Sequence, residues 1–148
     1  MGARRKGREL AVQALYQIEL TGESSPAALA LFWERSEAGS RAKEFAVGLV
    51  AGVREHQPQL DQVIADTSEH WRFERLSRVD LNVLRVAAYE LSSTPEVPLN
   101  VVIDEAIEIA RRFGTEESAQ FVNGILDHIA ARLGVKATGI GGGARSDG

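Results

Sequence analysis

The sequence has 148 residues, a formal net charge of −4 and a pI near 5.4, with 44% hydrophobic and 26% charged residues. This size and composition are typical of one globular domain with its own core, and they exclude a disordered chain. The lack of cysteine excludes disulfides and thiolate chemistry. The overall acidity argues against a generally basic nucleic-acid binder, so any nucleic-acid contact has to be local.

The first predicted helix opens with four cations in five positions: Arg4, Arg5, Lys6 and Arg8. Helical spacing places Arg5, Arg8, Val12 and Tyr16 on one flank beside the apolar stripe. Basic residues that lead to an aromatic side chain can bind a phosphate backbone and stack a base. A solvated, fraying terminus in which Tyr16 simply packs explains the same residues about equally well.

The second and third helices are marked by their boundary residues. The first helix is predicted to end near Gly22, and Ser25-Pro26 is a typical N-cap and first position of a second helix that runs to about Ala38. Trp33 in that helix is expected in the core, because large aromatic side chains are usually buried. The third helix is predicted over residues 41–55.

Gly48 and Gly52 in the third helix have the small-xxx-small spacing, which predicts a close helix crossing. A membrane-spanning interpretation fails because charged residues bracket too short an apolar run. A fourth helix is predicted to begin at Gln57-Pro58.

The fifth helix begins near Asp80 and continues through Leu91, and apolar residues cover more than half of its circumference. We therefore expect it to be the most buried helix. Asp80, Arg85 and Glu90 are candidates for buried ion pairs. A catalytic carboxylate pair is excluded, because ten residues of one helix separate Asp80 and Glu90 by about 15 Å.

The sixth helix is predicted over residues 101–113, with Gly114 as a left-handed terminator, and Thr115 leads into the last helix. Phe121 in that helix lies about 90° from the centre of the apolar stripe, a position that the core does not require. Gly124 costs roughly 1 kcal/mol relative to alanine in mid-helix, which predicts that something large lies against it.

No strand pattern occurs, so the fold class is predicted to be all-α, with about seven helices in one domain over residues 1–134. Residues 135–148 are glycine-rich and are expected to be a disordered tail. The three histidines lie far apart, and the sequence has no phosphate-binding loop, dinucleotide fingerprint or nucleophile elbow. These absences predict no metal, no cofactor and no enzymatic activity. Without a secretory signal or a membrane span, the predicted location is the cytoplasm.

Three stretches in series resemble one family, the bacterial transcription antitermination factor NusB. They are residues 4–16, residues 75–91, and residues 98–124 with the sequence from Pro98 through Phe113-Gly114 to Asn123-Gly124. Their order and spacing match the family over roughly residues 3–133. The resemblance implies an all-α fold of two small helical bundles packed together.

The resemblance also implies a function without catalysis. Members of the family bind the boxA element of nascent ribosomal RNA together with NusE, a small-subunit ribosomal protein, and join an antitermination assembly on RNA polymerase. The positions that the resemblance assigns to RNA contacts are Arg4, Arg5, Lys6, Arg8, Tyr16, Phe121 and Asn123. Those that it places near the partner or RNA surface are Glu74, Arg75, Asp80 and Glu117.

Two residues depart from the family's pattern. Gly7 stands where a helix former is usual, which predicts that the basic segment becomes ordered only on binding RNA. Asp104 replaces a usual asparagine and adds a negative charge. For the RNA function, we also expect Phe121 to lie near the flank formed by Arg5, Arg8 and Tyr16.

Two alternatives remain open at this level. The chain could act mainly through protein–protein contact, as a homodimer that hides the RNA surface. It could also be a NusB-like accessory domain of an RNA cytosine methyltransferase, although the chain has no room for a cofactor-binding domain.

Overall fold

Seven α-helices make up most of the computed structural model, which describes residues 2–68 and 76–133. Those two ranges contain no strand, which confirms the predicted all-α fold. Glu74, Arg75 and the predicted tail lie outside the described residues. The helices are α1 (Ala3–Thr21), α2 (Pro26–Arg35), α3 (Ser40–Glu55), α4 (Gln57–Thr67), α5 (Arg78–Ser93), α6 (Leu99–Phe113) and α7 (Glu116–Arg132).

The helices form two bundles that share α5. Helices α1 and α3 pack along each other and both contact α5, whereas α4, α6 and α7 pack on α5 from the other bundle. Eleven of the 16 residues of α5 are buried, more than in any other described helix, which confirms the prediction that it is the most buried one. Among the described helices, none is both long and apolar enough to cross a membrane.

Helix α2 lies at the edge of the fold, because none of its residues is buried. The Ser25 hydroxyl accepts a hydrogen bond from the Ala28 amide (3.1 Å), as the predicted N-cap requires. The helix ends at Arg35, three residues earlier than predicted, because Ser36 leaves the helical conformation. Trp33 is half-buried and packs against the core, so it belongs to the core as predicted but lies at its border.

Gly7 is the point of close contact between α1 and α3. A Cβ atom at this position would lie 2.7 Å from Cδ2 of Phe45 and 2.9 Å from the carbonyl oxygen of Ala42. Only glycine permits this approach, and α1 is helical from Ala3 onwards. The expectation that Gly7 leaves the basic segment unordered is therefore wrong.

One of the two glycines of α3 makes the predicted close crossing. A Cβ atom at Gly52 would overlap the ring of Tyr89 on α5, whereas a Cβ atom at Gly48 would meet no described atom within 4 Å. The crossing thus depends on Gly52 alone.

Of two further glycine predictions, the one for Gly114 is wrong and the one for Gly124 finds no support among the described residues. Gly114 ends α6 with φ −118°, outside the left-handed region, and its lack of a side chain instead allows the close approach of the Ser118 hydroxyl. Gly124 has no described atom within 4 Å of the position of a Cβ, so no large group of the described chain lies against it. Contacts among the described residues therefore do not explain Gly124.

Candidate nucleic-acid and partner interface

Arg8 lies inside the protein. Its Nε and Nη2 atoms donate to the two carboxylate oxygens of Glu90 on α5, at 2.8 Å and 2.9 Å. The two side chains are only 5% and 1% exposed. This geometry corrects the sequence assignment, because a guanidinium that is buried and held by a carboxylate has no charge to offer to a phosphate.

Arg5 lies at the surface, but it also has a carboxylate partner. Its Nε atom donates to Glu105 Oε1 at 2.9 Å and its Nη2 atom to Glu105 Oε2 at 2.6 Å. The Arg5 side chain is 44% exposed, whereas that of Glu105 on α6 is 15% exposed. The hydrogen bond from Arg5 lowers the pKa of Glu105, so this side chain is a carboxylate at neutral pH.

Arg4 and Lys6 are the least restrained cations of the basic segment. The Lys6 ammonium lies 3.9 Å from Glu9, whose carboxylate also accepts from Arg112 at 3.1 Å. The Arg4 guanidinium lies 5.5 Å from the centre of the Phe45 ring and has no carboxylate partner among the described residues. Three of the four predicted cations are therefore accessible to solvent, and they differ in the contacts that restrain their side chains.

Tyr16 borders a first groove, which lies between α1 and α2 and has a volume of about 1220 Å³. The side chain is exposed, and Lys6 and Gln13 line the same groove. Val12, which lies between Arg8 and Tyr16 on the predicted flank, is buried. The predicted flank is therefore not one continuous exposed surface, because Arg5 and Tyr16 are exposed but Arg8 and Val12 between them are buried.

Phe121 borders a second groove of about 640 Å³, together with Asp80, Glu117, Gly124 and His128. Phe121 is half-buried and packs against the core, whereas Asn123 is exposed on α7. Val79 lines the first groove and Asp80 the second, so the two grooves lie on either side of the first turn of α5. Tyr16 and Phe121 thus occupy neighbouring grooves, not one shared pocket.

Asp80 carries an unsatisfied oxygen in the second groove. The residue is only 8% exposed, and its Oδ2 atom accepts a hydrogen bond from the Ser118 hydroxyl at 3.3 Å. The Oδ1 atom is buried and has no hydrogen-bond partner within the part of the chain that the structure describes. Burial raises the pKa of Asp80. A carboxylate in this condition can accept a hydrogen bond from a donor outside the described residues, above all from a cationic one.

The candidates for buried ion pairs in α5 have different outcomes. Glu90 pairs with Arg8, and Arg85 pairs with Asp61 at 2.7 Å and with Glu19 at 2.8 Å. Asp80 has no cationic partner among the described residues. These three ion pairs connect α5 to α1 and α4, so they serve the packing of the bundles.

Sequence reasoning marked Glu90 for a buried ion pair but missed its pairing with Arg8, and it missed Glu105 as the partner of Arg5. Glu90 is 82 residues from Arg8, and Glu105 is 100 residues from Arg5. Each carboxylate lies in a helix whose local pattern gives no sign of a partner in α1. Only the tertiary arrangement of α1, α5 and α6 brings these charges together.

The fold and this surface define a small all-helical binding protein, with cations beside the first groove and an exposed or half-exposed aromatic side chain at each of the two grooves. No described group of three or more acidic, histidine or cysteine side chains could hold a metal ion. The model of the NusB family matches residues 5–131, and the chain belongs to that family.

Relatives and solved structures agree with this membership. The chain is 48% identical over 134 residues to the transcription antitermination protein NusB of Sorangium cellulosum, covering 90% of this chain and 96% of the relative. It is 50% identical over 135 residues to the protein of that name in Geobacter sulfurreducens, covering 90% of this chain and 97% of the relative.

Two solved structures are similar to the whole fold. One is NusB of T. maritima, with a TM-score of 0.77 and 42% identity, covering 86% of this chain and 90% of that chain. The other is a complex of the antitermination factors NusB and NusE with double-stranded RNA, with a TM-score of 0.78 and 26% identity, covering 89% of this chain and 98% of that chain.

Proposed function

We propose that this chain is a transcription antitermination factor that binds the boxA element of nascent ribosomal RNA together with NusE. It acts in the cytoplasm, within the antitermination complex on RNA polymerase, and carries out no catalysis. The observation that carries this proposal is the match to NusB proteins over nearly the whole described chain. The similar structure of NusB with NusE and RNA supports the choice of partners.

The RNA-contacting residues in this proposal are those whose charge or ring is accessible. Arg4, Arg5 and Lys6 neutralise phosphates, because their side chains reach solvent at the start of α1. Tyr16 and Phe121 stack bases from the two neighbouring grooves, and the exposed Asn123 amide is available for hydrogen bonds. Arg8 is left out because it is buried with Glu90.

The protein partner is proposed to bind at the second groove. The unsatisfied Oδ1 atom of Asp80 accepts a hydrogen bond from a lysine, arginine or backbone donor of NusE, and the exposed Glu117 lies in the same groove. Glu74 and Arg75 belong to this proposal through the family resemblance alone. A donor at Asp80 would remove the cost of an unpaired buried oxygen.

The proposal is tested by titrating the purified chain with a labelled single-stranded boxA RNA, with and without purified NusE. NusE should tighten binding, and a scrambled RNA of equal composition should bind more weakly. With three accessible cations, the slope of log K against log salt should be about −2, since each neutralised phosphate contributes roughly −0.7. Binding that does not change with salt would contradict the proposal.

Light scattering of the same samples tests the homodimer alternative. The RNA-binding function predicts that RNA, with or without NusE, yields a complex containing one copy of the chain. A dimer that persists unchanged in the presence of RNA would instead favour the protein-interaction module.

A further inference from the structure

We propose that Glu105 competes with RNA phosphate for Arg5 and thereby sets the affinity of the basic segment for RNA. The inference rests on the proposed function, because it requires that Arg5 contact a phosphate. Its structural basis is the double hydrogen bond between the Arg5 guanidinium and both oxygens of Glu105.

Carboxylate and phosphate compete for the same atoms of Arg5. The Nε and Nη2 donors form a planar fork that suits either group in the bidentate geometry. In this structure the fork is occupied by Glu105, at 2.9 Å and 2.6 Å. A phosphate can bind the Nε and Nη2 atoms of Arg5 only after the carboxylate has left them. Until then the Arg5–Glu105 pair has no net charge that would attract RNA.

The surroundings of Glu105 make such an exchange feasible. Its second cationic neighbour is Arg8, whose Nη1 atom lies 3.9 Å from Glu105 Oε1 while Arg8 remains bonded to Glu90. When Arg5 turns to a phosphate, Glu105 therefore keeps a cation nearby and is not left as an isolated, half-buried charge. Arg5 is exposed enough to move, whereas Arg8 is fixed in the core.

Other acidic residues on α6 allow direct competition by Glu105 to be distinguished from the general electrostatic repulsion of RNA. Asp104 and Glu108 are exposed on the same helix, and Glu108 is paired with Arg111 at 2.7 Å. These carboxylates also repel RNA, but neither is hydrogen-bonded to Arg5 among the described contacts. Only Glu105 has to be displaced, so its replacement should have an effect that loss of another charge on α6 does not have.

The test variant is Glu105→Gln, and Glu108→Gln is its matched control. Glutamine keeps an oxygen that accepts from Arg5, so the side chains keep their places while the competing charge is lost. Glu108→Gln removes an equal charge one turn further along α6. Fluorescence anisotropy with labelled single-stranded boxA RNA should give binding about two- to five-fold tighter for Glu105→Gln at low salt, the range expected for an exposed ion pair.

Two further measurements separate competition from other causes. The gain should shrink as salt rises, because salt screens the Arg5–Glu105 pair in the parent protein. It should also disappear when Glu105→Gln is combined with Arg5→Ala, because the competition has no target without Arg5. Thermal melting of every variant checks that the fold is retained.

Equal affinity of the Glu105→Gln and Glu108→Gln variants would overturn the inference, and so would a gain that persists with Arg5→Ala. Weaker binding by Glu105→Gln would also overturn it, since Glu105 would then position Arg5 for the phosphate. These results leave the proposed function intact. Failure of the unchanged protein to bind boxA RNA would overturn the proposed function and this inference together.

Discussion

Replacement of Arg8 by alanine should destabilise the protein strongly and leave the RNA affinity of the folded protein almost unchanged. The variant removes one partner of an ion pair whose side chains are 5% and 1% exposed, so the Glu90 carboxylate stays buried without its cation. Breaking such a pair costs about 3–5 kcal/mol. For a chain of this size, that cost corresponds to a fall in Tm of roughly 6–20 °C.

The assay combines thermal melting by circular dichroism with RNA titration at a temperature where every variant is folded. Arg5→Ala is the matched control, because it removes the same kind of side chain from the same helix at an exposed position. It should weaken RNA binding and reduce the salt slope by about 0.7, with little change in Tm. The two arginines should therefore separate stability from binding.

A double replacement tests the cause of the Arg8 effect. Arg8→Met together with Glu90→Leu removes both buried charges and keeps comparable volume, so much of the lost stability should return. The reasoning is refuted if Arg8→Ala keeps the parent Tm and loses RNA affinity as Arg5→Ala does. That result would mean that Arg8 leaves Glu90 and reaches the phosphate.

Three more outcomes follow from the described contacts. Gly52→Ala should lower the free energy of unfolding by about 1–3 kcal/mol, because a Cβ there overlaps the Tyr89 ring. The control Gly48→Ala on the same helix should be neutral or stabilising by up to about 1 kcal/mol. Equal Tm values for the two variants would contradict the close crossing. Asp80→Asn should raise Tm at pH 7, because burial raises the pKa of Asp80 and its ionised form disfavours folding above that pKa. The Tm difference between Asp80→Asn and the parent should shrink as pH falls from above the raised pKa of Asp80 towards its ordinary pKa. At pH 7 the same variant should bind NusE more weakly. An unchanged NusE affinity would remove Asp80 from the interface. Phe121→Ala should weaken RNA binding by about 1–3 kcal/mol if the ring stacks a base. Phe121→Leu keeps apolar bulk, so it should bind RNA nearly as weakly but have a Tm closer to that of the parent. A lower Tm with RNA affinity intact would assign Phe121 to the core.

The helices could be predicted from the sequence because their signals are local. The hydroxyl of Ser25 caps α2 and that of Thr115 caps α7, each three residues before the amide that it binds. The apolar periodicity of α5 correctly marks it as the central helix. These features depend on residues within one or two turns of each other, and the sequence displays them directly.

The electrostatic state of the basic segment could not be predicted in the same way. Four cations within five positions look equivalent in sequence, yet Arg8 is buried with Glu90, Arg5 is paired with Glu105, and Arg4 lies over an aromatic ring. The partners come from α5, α6 and α3, and no local pattern marks them. The number of cations in a motif therefore overestimates the number available to RNA.

The roles of the glycines also depend on tertiary contacts. Gly48 and Gly52 are equivalent members of one small-xxx-small motif in the sequence, but only Gly52 faces Tyr89. Gly114 is needed because Ser118 approaches it, a fact that its position at a helix end does not reveal. A glycine indicates that a side chain is absent, whereas the structure shows which atom makes use of the space.

Two features of the second groove oppose stability without any offset within the described chain. Gly124 costs roughly 1 kcal/mol relative to alanine in the middle of α7, although a Cβ there would meet no described atom within 4 Å. Asp80 lines the same groove and keeps a buried oxygen that has no donor among the described residues. Internal packing would be improved by a side chain at the first position and by an apolar or paired group at the second. Both costs would acquire a physical reason if a second molecule, such as the NusE proposed for this groove, approached the helix closely at Gly124 and donated a hydrogen bond to Asp80.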